Sequence, residues 1–285
     1  GSRLPADLSA LITFLRLSAV TSLRTVANVD RAADGITWMG VFEQVAVWLA
    51  AAKTAVAFTG AGISTESGIP DFRSPGGVWA TSTPVYYDEF LASESARYEY
   101  WRQKAQSHDD FVNSQPNAGH RALAQWEQQG RLSRVITQNI DGLHQDAGSA
   151  NVIELHGTAR FVSCLECGAR FDADPLVREF LETDVPPCCG KCQGITKHAT
   201  ISFGQQLAPQ VLEEAWQLSV DADVYLAMGS SLVVEPAASL PRNAKSHGAR
   251  LVIINRDPTP LDHLADAVIN ESIGGALTSI GQYLP

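Results

Sequence analysis

The sequence predicts an α/β fold in which a doubly wound parallel sheet carries two insertions. Six short apolar runs are typical of buried parallel strands, and amphipathic segments at 120–129 and 209–219 lie between some of them. This alternation is typical of a Rossmann-like sheet with helices on both faces. The strands are expected at 55–58, 134–137, 152–155, 224–228, 251–254 and 267–269.

Two interruptions of this alternation suggest the domain organisation. Residues 74–115 begin with an aromatic-rich stretch and become helical at 98–106, so a helical insertion is expected there. Residues 158–200 contain every cysteine and form a second, smaller module. The sheet domain is then expected to comprise residues 36–73, 116–157 and 201–285.

Residues 1–35 are expected to form an N-terminal extension. Its leucines recur at helical spacing, which favours a docked helix or a flexible extension. A transit peptide is the alternative, because several arginines are present, but Asp7, Asp30 and Asp34 count against it since transit peptides are poor in acids.

The composition is that of an ordinary globular protein, with 45% hydrophobic and 18% charged residues among 285. A net charge of −10 argues against broad binding to nucleic-acid phosphates and suits basic partners. No apolar run is long enough to span a bilayer. We expect a cytoplasmic monomer that binds neither nucleic acid directly nor membranes.

The second insertion carries two Cys-x-x-Cys pairs that indicate a zinc ribbon. Cys164 and Cys167 form the first, Cys189 and Cys192 the second, and 21 residues separate them. Zinc favours tetrahedral thiolate sites, and four protein ligands indicate one structural zinc ion. A disulfide framework is disfavoured because nothing suggests secretion, and a redox dithiol would not need two matched pairs. Cys188 is expected to be a free thiol, although a swap with its neighbour Cys189 stays open.

Glycine-rich and polar segments follow five of the predicted strands. Ligands of open parallel sheets bind outside the carboxyl ends of the strands, so these segments predict one shared site. Gly60 and Gly62 allow a tight turn and a close backbone approach, which can present N–H groups to a phosphate. The segments begin at Gly60, Gln138, His156, Gly229 and Asn255.

Five motifs occur in a fixed order along the chain: TGAGISTESGIPDFR, TQNIDGLH, ELHG, GSSLVVEP and INRD. From about Val41 to the C-terminus the chain resembles the sirtuins, the Sir2 family of NAD-dependent protein lysine deacylases. The resemblance implies that an acyl group passes from lysine to ADP-ribose with release of nicotinamide. NAD would be a consumed co-substrate, and the partner would be an acylated lysine in a protein or peptide.

The resemblance also implies roles for individual residues. His156 would deprotonate the ribose hydroxyls so that the 2′-oxygen can attack, and Asn139 would orient the ribose and an ordered water. Gln138 would bind the ribose, Asp141 the nicotinamide carboxamide, and Phe72 would cover the ribose after nicotinamide leaves. The full set of implied NAD-binding residues is Gly60, Ala61, Gly62, Ser64, Asp71, Phe72, Arg73, Gln138, Asn139, Asp141, Gly229, Ser230, Ser231, Asn255, Asp257 and Ile273.

The implied substrate cleft departs from the usual pattern of the family. Sirtuins usually read Arg-Pro-x-Val-Val-x-Phe-Gly-Glu where this chain reads KHATISFGQ at 197–205. Phe203 and Gly204 would line the lysine tunnel, and 200–202 would bind a peptide by strand addition. Val233 and Glu235 would lie on the opposing strand. Gln205 replaces the usual glutamate, which weakens any preference for basic peptides.

Residues 97–102 indicate which kind of acyl group the protein removes from lysine. The branch of the family that removes succinyl and malonyl groups carries Tyr-x-x-Arg in the helical insertion, a spacing that aims both side chains at one carboxylate. This chain reads RYEYWR there, and neither tyrosine stands three residues before an arginine. We therefore expect neutral acyl groups, with acetyl first.

Three alternatives remain at this point. The same pocket could support mono-ADP-ribosyl transfer or NAD glycohydrolysis, which need no lysine tunnel. A zinc-stabilised dinucleotide-binding module is disfavoured because a sensor needs no base such as His156. An ordinary Rossmann dehydrogenase is disfavoured because Gly-x-Gly is followed by Ser64 and no acid ends the next strand at the expected distance.

Overall fold

The computed structural model describes residues 40–71 and 83–285. The expectations for the N-terminal extension, for Phe72 and for Arg73 lie outside these residues. The helices are α1 (Val41–Ala51), α2 (Tyr87–Ala92), α3 (Glu94–Gln106), α4 (His108–Asn113), α5 (Ala118–Gln128), α6 (Leu143–Asp146), α7 (Ala173–Thr183), α8 (Pro209–Asp221), α9 (Ser239–Ser246) and α10 (Ile273–Gly281). The strands are β1 (Ala55–Thr59), β2 (Arg134–Thr137), β3 (Val152–Glu154), β4 (Gly157–Cys164), β5 (Arg170–Asp172), β6 (Thr196–Thr200), β7 (Val224–Met228), β8 (Arg250–Ile254) and β9 (Ala267–Ile269).

The larger sheet has the strand order β3-β2-β1-β7-β8-β9, and every neighbouring pair is parallel. Strands β1, β2 and β3 follow one another toward one edge of the sheet. The chain then returns to the centre, and β7, β8 and β9 follow one another toward the other edge. This order is that of the doubly wound Rossmann sheet, in which the ligand crevice lies where the order reverses. The predicted fold class is confirmed, and the reversal lies between β1 and β7.

Alternate residues of β1 point to opposite faces of this sheet and pack into the two hydrophobic cores there. Ala55 and Ala57 pack on one face with helices α1, α5 and α10. Val56 and Phe58 pack on the other face with α8 and α9. Burial of one such large apolar side chain contributes about 1.5–3 kcal/mol. Because both faces are covered, the strand is apolar throughout, which is why its sequence could be recognised.

The smaller sheet has the antiparallel order β5-β4-β6 and follows directly from the larger one through β3 and β4. Helix α7 packs on it through Val177 and Phe180, and Trp101 and Phe90 bring α3 and α2 into the same apolar cluster. The helical insertion and the cysteine-containing module therefore share one core.

The start of α3 is the largest difference from the expected boundaries. The helix begins at Glu94 and not near residue 98, because Ser93 caps it by accepting a hydrogen bond from the N–H of Ala96 at 3.3 Å. No helix in the described ranges is long and apolar enough to cross a membrane.

Candidate active site

The carboxyl ends of the parallel strands meet at one edge of the sheet, and the segments that follow them are bonded to one another. At the end of each of these strands, one further backbone N–H donates to the carbonyl of the last residue of the neighbouring strand. These bonds are Gly60 N to Met228 O, Gln138 N to Thr59 O, Leu155 N to Thr137 O, Gly229 N to Ile254 O and Asn255 N to Ile269 O. The structure therefore places the five predicted segments side by side along a single edge.

The glycines of the first segment are required by its close approach to the segment after β7. A Cβ built on Gly62 would lie 2.6 Å from the Cα of Gly229, and one on Gly60 would lie 2.7 Å from the Gly229 carbonyl oxygen. The N–H groups of Gly60 and Gly62 donate to Met228 O and Gly229 O, so they are not available to a phosphate. The N–H of Ala61 has no acceptor among the described residues, so of the backbone N–H groups at 60–62 it is the one left for a phosphate.

A buried polar trio lies beside this segment. Ser64 donates its hydroxyl to Asp141 Oδ2 at 2.7 Å, and Asn139 donates from Nδ2 to Ser64 Oγ at 3.0 Å. The second carboxylate oxygen of Asp141 accepts the N–H of Leu143 at 2.9 Å. All three polar side chains are buried, so these bonds hold them in one arrangement. The structure thus brings together three predicted residues from two separate motifs.

Two buried histidines behind the trio were not predicted. His144 Nε2 lies 2.9 Å from the hydroxyl of Thr59, which donates to Thr137 Oγ1 at 2.8 Å, so His144 carries its proton on Nε2. His120 packs edge-on against His144, with ring centres 4.9 Å apart. Burial lowers the pKa of His144 to about 3 and that of His120 to about 4, so both are neutral near pH 7. His144 is the last residue of the TQNIDGLH motif, but it was not predicted as a site residue because a lone histidine in a sequence is more often structural than functional.

His156 lies two residues after the end of β3, half-buried at the edge of the sheet. Its Nδ1 is 2.9 Å from the carbonyl oxygen of Gln138, and because a carbonyl only accepts, Nδ1 must carry the proton. Nε2 is then left with a lone pair. Burial lowers the pKa of His156, partly offset by the Gln138 carbonyl, so the ring is neutral at physiological pH. A neutral imidazole with a free lone pair on Nε2 can accept a proton.

Several of the other predicted NAD-binding residues that the structure describes lie along the same edge with different surroundings. Gln138 donates from Nε2 to Ser230 Oγ at 2.9 Å, which bridges the ends of β2 and β7. Asn255 donates to the carbonyl of Asp257 at 2.7 Å, whereas the Asp257 side chain is exposed beside Arg256. Ser231 and Asp71 are both half-buried.

Ile273 is the predicted NAD contact that lies in the core. It begins α10, is 5% exposed and belongs to the apolar cluster under α1 and α5. Its Cδ1 would be 2.9 Å from a Cβ built on Gly229, so it packs beneath the glycine segment.

The predicted substrate segment is joined to His156 by a backbone hydrogen bond. The N–H of Ile201 donates to the carbonyl oxygen of His156 at 2.8 Å, and the carbonyl of Phe203 accepts from the N–H of Tyr87 at 2.9 Å. The Phe203 side chain is 44% exposed and Gly204 adopts φ +78 beside it. The ends of β3 and β6 therefore hold this segment next to His156.

The opposing segment differs from its prediction. Val233 and Glu235 do not form a strand: Glu235 lies in a turn, and Val233 has no ladder partner among the described strands. A strand needs a neighbour for its backbone groups, and no described strand pairs with this segment. The side chain of Glu235 accepts from Ser239 and lies 3.8 Å from Arg242.

The cysteine pairs converge at one end of the smaller sheet. The sulfur atoms of Cys164, Cys167, Cys189 and Cys192 all lie within 4.8 Å of one another. The Cys164–Cys192 and Cys167–Cys189 sulfur distances are 3.4 and 3.7 Å, close to the spacing of about 3.8 Å expected for tetrahedral Zn–S bonds of about 2.3 Å. The four thiols fit one zinc ion. Cys188 is exposed and lies outside the cluster.

Comparison with known proteins agrees with this geometry. A model of the Sir2 family matches residues 60–236. A Bradyrhizobium diazoefficiens protein named NAD-dependent protein deacetylase 1 is 49% identical over 237 residues, which cover 82% of this chain and 93% of that protein. A Streptomyces coelicolor protein named NAD-dependent protein deacetylase 2 is 48% identical over 229 residues, covering 78% and 94%. A solved structure of a Sir2 protein with a p53 peptide and NAD+ matches with a TM-score of 0.77 at 36% identity, covering 84% of this chain and 96% of that one.

The reversed parallel sheet, the polar site at its carboxyl edge and the four-thiol cluster define a dinucleotide-binding α/β protein with a zinc-binding module. The match of the family model and the identity with these relatives place it further: the chain belongs to the Sir2 family. The resemblance predicted from the five motifs is confirmed.

Proposed function

We propose that this protein is an NAD-dependent protein lysine deacetylase that transfers an acetyl group from lysine to ADP-ribose and releases nicotinamide. The observation that carries the proposal is His156, which has a free Nε2 lone pair at the edge where the polar trio and the substrate segment meet. Relatives named NAD-dependent protein deacetylases support this activity over ADP-ribosyl transfer or NAD glycohydrolysis.

The crevice fits NAD as a consumed co-substrate. The buried trio offers fixed polar groups for the nicotinamide end, and the polar segments after β7 and β8 offer them for the adenosine end. When bound, NAD supplies the ribose carbon to which the acyl oxygen is transferred. We assign the nicotinamide end to Asn139 and Asp141 and the adenosine end to Ser230, Ser231 and Asn255, with Asp257 at its exposed rim.

His156 is assigned as the base. With Nδ1 donating to the Gln138 carbonyl, the ring is held in one tautomer, and Nε2 can take a proton from a ribose hydroxyl. The half-buried position lowers its pKa, which keeps it in the proton-accepting form near pH 7. Orientation and protonation state are both set before substrate arrives.

Asp141 and Asn139 are assigned to orient the nicotinamide and its ribose. The two oxygens of Asp141 accept from Ser64 and Leu143, so the carboxylate cannot rotate. Asn139 donates one amide hydrogen to Ser64, which fixes its side chain as well. A fixed polar surface of this kind orients a substrate without reorganising during the reaction.

The acetylated peptide is proposed to bind along 200–202 by strand addition, with Phe203 and Gly204 at the lysine tunnel and Val233 and Glu235 on the far side. Support comes from the exposed Phe203 and Val233 side chains, which leave apolar surface at the mouth of the cleft. A solved Sir2 structure at 36% identity contains a p53 peptide together with NAD+, and a peptide substrate is proposed for this chain as well. Neutral acyl groups, a cytoplasmic location, a monomeric state and the absence of nucleic-acid binding stay predictions.

One structural zinc ion is assigned to Cys164, Cys167, Cys189 and Cys192. Four thiolates fill a tetrahedral site, so the ion stabilises the module and takes no part in the reaction. Because β4 joins this module directly to His156, its loss would disturb the cleft.

The test is to incubate the protein with NAD and an acetyl-lysine peptide and to analyse the products by mass spectrometry. We expect deacetylated peptide, nicotinamide and O-acetyl-ADP-ribose in equal amounts, and no nicotinamide release without the peptide. His156→Asn should abolish the reaction, whereas the matched control His263→Asn, at an exposed histidine, should not change it. Nicotinamide release that does not depend on the acetylated peptide would contradict the proposal.

A further inference from the structure

Lys197 is a buried lysine beneath the substrate segment. It is 2% exposed, and its Nζ donates to the carbonyl oxygens of Thr200 at 2.5 Å and His198 at 3.4 Å. The ring centres of Tyr100 and Tyr87 lie 5.4 and 5.9 Å from Nζ. No carboxylate of the described residues forms an ion pair with it. Its surroundings are carbonyl oxygens and aromatic faces.

A lysine in such a place needs an explanation beyond packing. Burial of a cationic side chain without a carboxylate costs several kcal/mol, and an apolar side chain of similar length fills a core position without that cost. In this chain the partners of Nζ are backbone carbonyls at the end of β6.

The Thr200 carbonyl belongs to the peptide group whose N–H is on Ile201. That peptide group is bonded at both ends: its oxygen accepts from Lys197 Nζ, and its N–H donates to the carbonyl oxygen of His156 at 2.8 Å. A donor bound to the oxygen strengthens the bond made by the N–H of the same group. Lys197 is thus connected to His156 through a single peptide group.

The same peptide group begins the segment assigned to the acyl-lysine peptide. Two residues later the Phe203 carbonyl accepts from the N–H of Tyr87. Tyr87 therefore contacts both the segment and, through its ring, the Lys197 ammonium. Rotation of the Thr200–Ile201 peptide would break its bond to His156 and move the segment relative to the base.

We propose that Lys197 is a positioning residue whose Nζ group orients the Thr200–Ile201 peptide and so keeps the acyl-lysine segment in register with His156. The proposal rests on the proposed function, because it assumes that the segment binds the substrate. Lys197 touches no reacting atom. Replacement of Lys197 should therefore change KM for the acetylated peptide and leave KM for NAD unchanged.

The test compares Lys197→Met and Lys197→Arg with the wild type and with Lys53→Met, a control at an exposed lysine between α1 and β1. Methionine fills the space without a donor, whereas arginine keeps a cationic donor. For Lys197→Met we expect at least about a tenfold rise in KM for the peptide, the loss typical of one hydrogen bond to a charged group. KM for NAD and zinc content should stay close to wild type, and Lys197→Arg should recover most of the loss.

A purely structural role gives a different pattern. A folded Lys197→Met protein with wild-type peptide kinetics would overturn the proposal. If that variant does not fold, Lys197→Gln, with a shorter and uncharged side chain, takes its place. A rise in KM confined to the peptide then supports the positioning role, whereas an unchanged KM for the peptide, or equal rises for peptide and NAD, overturns it. If the wild type itself does not deacetylate the peptide, the proposed function fails, which is a separate outcome.

Discussion

Replacement of Gly62 by alanine would separate the ends of β1 and β7. The new Cβ would lie 2.6 Å from Gly229 Cα and 2.9 Å from Gly229 O, whereas carbon atoms in contact lie about 3.5–4.0 Å apart. Because the neighbour is backbone, it cannot rotate aside, and the two segments must part by about 1 Å. Overpacking of this kind costs about 1–3 kcal/mol.

The effect on NAD should exceed the effect on stability. A shift of about 1 Å in a group that positions a reacting substrate can lower the rate about a hundredfold. We expect kcat/KM for NAD to fall about 10- to 100-fold, and the melting temperature to fall by about 2–12 °C. The assay is nicotinamide release at saturating acetyl-lysine peptide, with thermal unfolding measured on the same samples.

Gly281→Ala is the matched control. Gly281 ends α10, and a Cβ there would lie 3.7 Å from Trp126 Nε1, an ordinary contact. Alanine in a helix is about 1 kcal/mol more favourable than glycine, so this variant should be as stable as the wild type or more stable. Gly62→Ala with wild-type stability and NAD kinetics would refute the close-approach argument.

Three further predictions concern the base, the metal and the buried lysine. Since burial lowers the pKa of His156 below its usual 6.5, kcat/KM should fall with decreasing pH only below pH 6.5; a midpoint above 7 in a pH–rate profile would contradict this. Metal analysis should find one zinc ion per chain in Cys188→Ser and none in Cys189→Ser, and equal contents would argue against the assignment. Burial, and then Lys104, lower the pKa of Lys197 to about 7, well below its ordinary 10.5, so the unfolded chain binds more protons between these values. The wild type should therefore gain stability relative to Lys197→Met as the pH rises from 7 to 9 in denaturant unfolding, and a constant difference would contradict the buried position.

The sheet and the edge that bears the site could be predicted because both follow from local patterns. Buried parallel strands are apolar along their whole length, as 55–58 and 224–228 show, and the residue that follows each one must lie at the carboxyl edge. The cysteine pairs were equally clear, because two ligands from one tight turn leave a fixed spacing.

Other features depend on tertiary contacts that no local pattern records. The His120–His144 pair exists because α5 and α6 bring two distant segments together, and each histidine alone predicts nothing. The place of Lys197 depends likewise on the path of the chain after β6. The strand expected at 233–235 was wrong, since an extended sequence forms a strand only beside a partner.

The most direct measurement is a crystal structure of the His156→Asn protein with NAD and an acetyl-lysine peptide. We predict NAD along the carboxyl edge of the larger sheet, with its nicotinamide ribose facing residue 156 and the peptide paired with 200–202. NAD bound elsewhere, or a ribose turned away from position 156, would contradict the assignment of this edge as the active site.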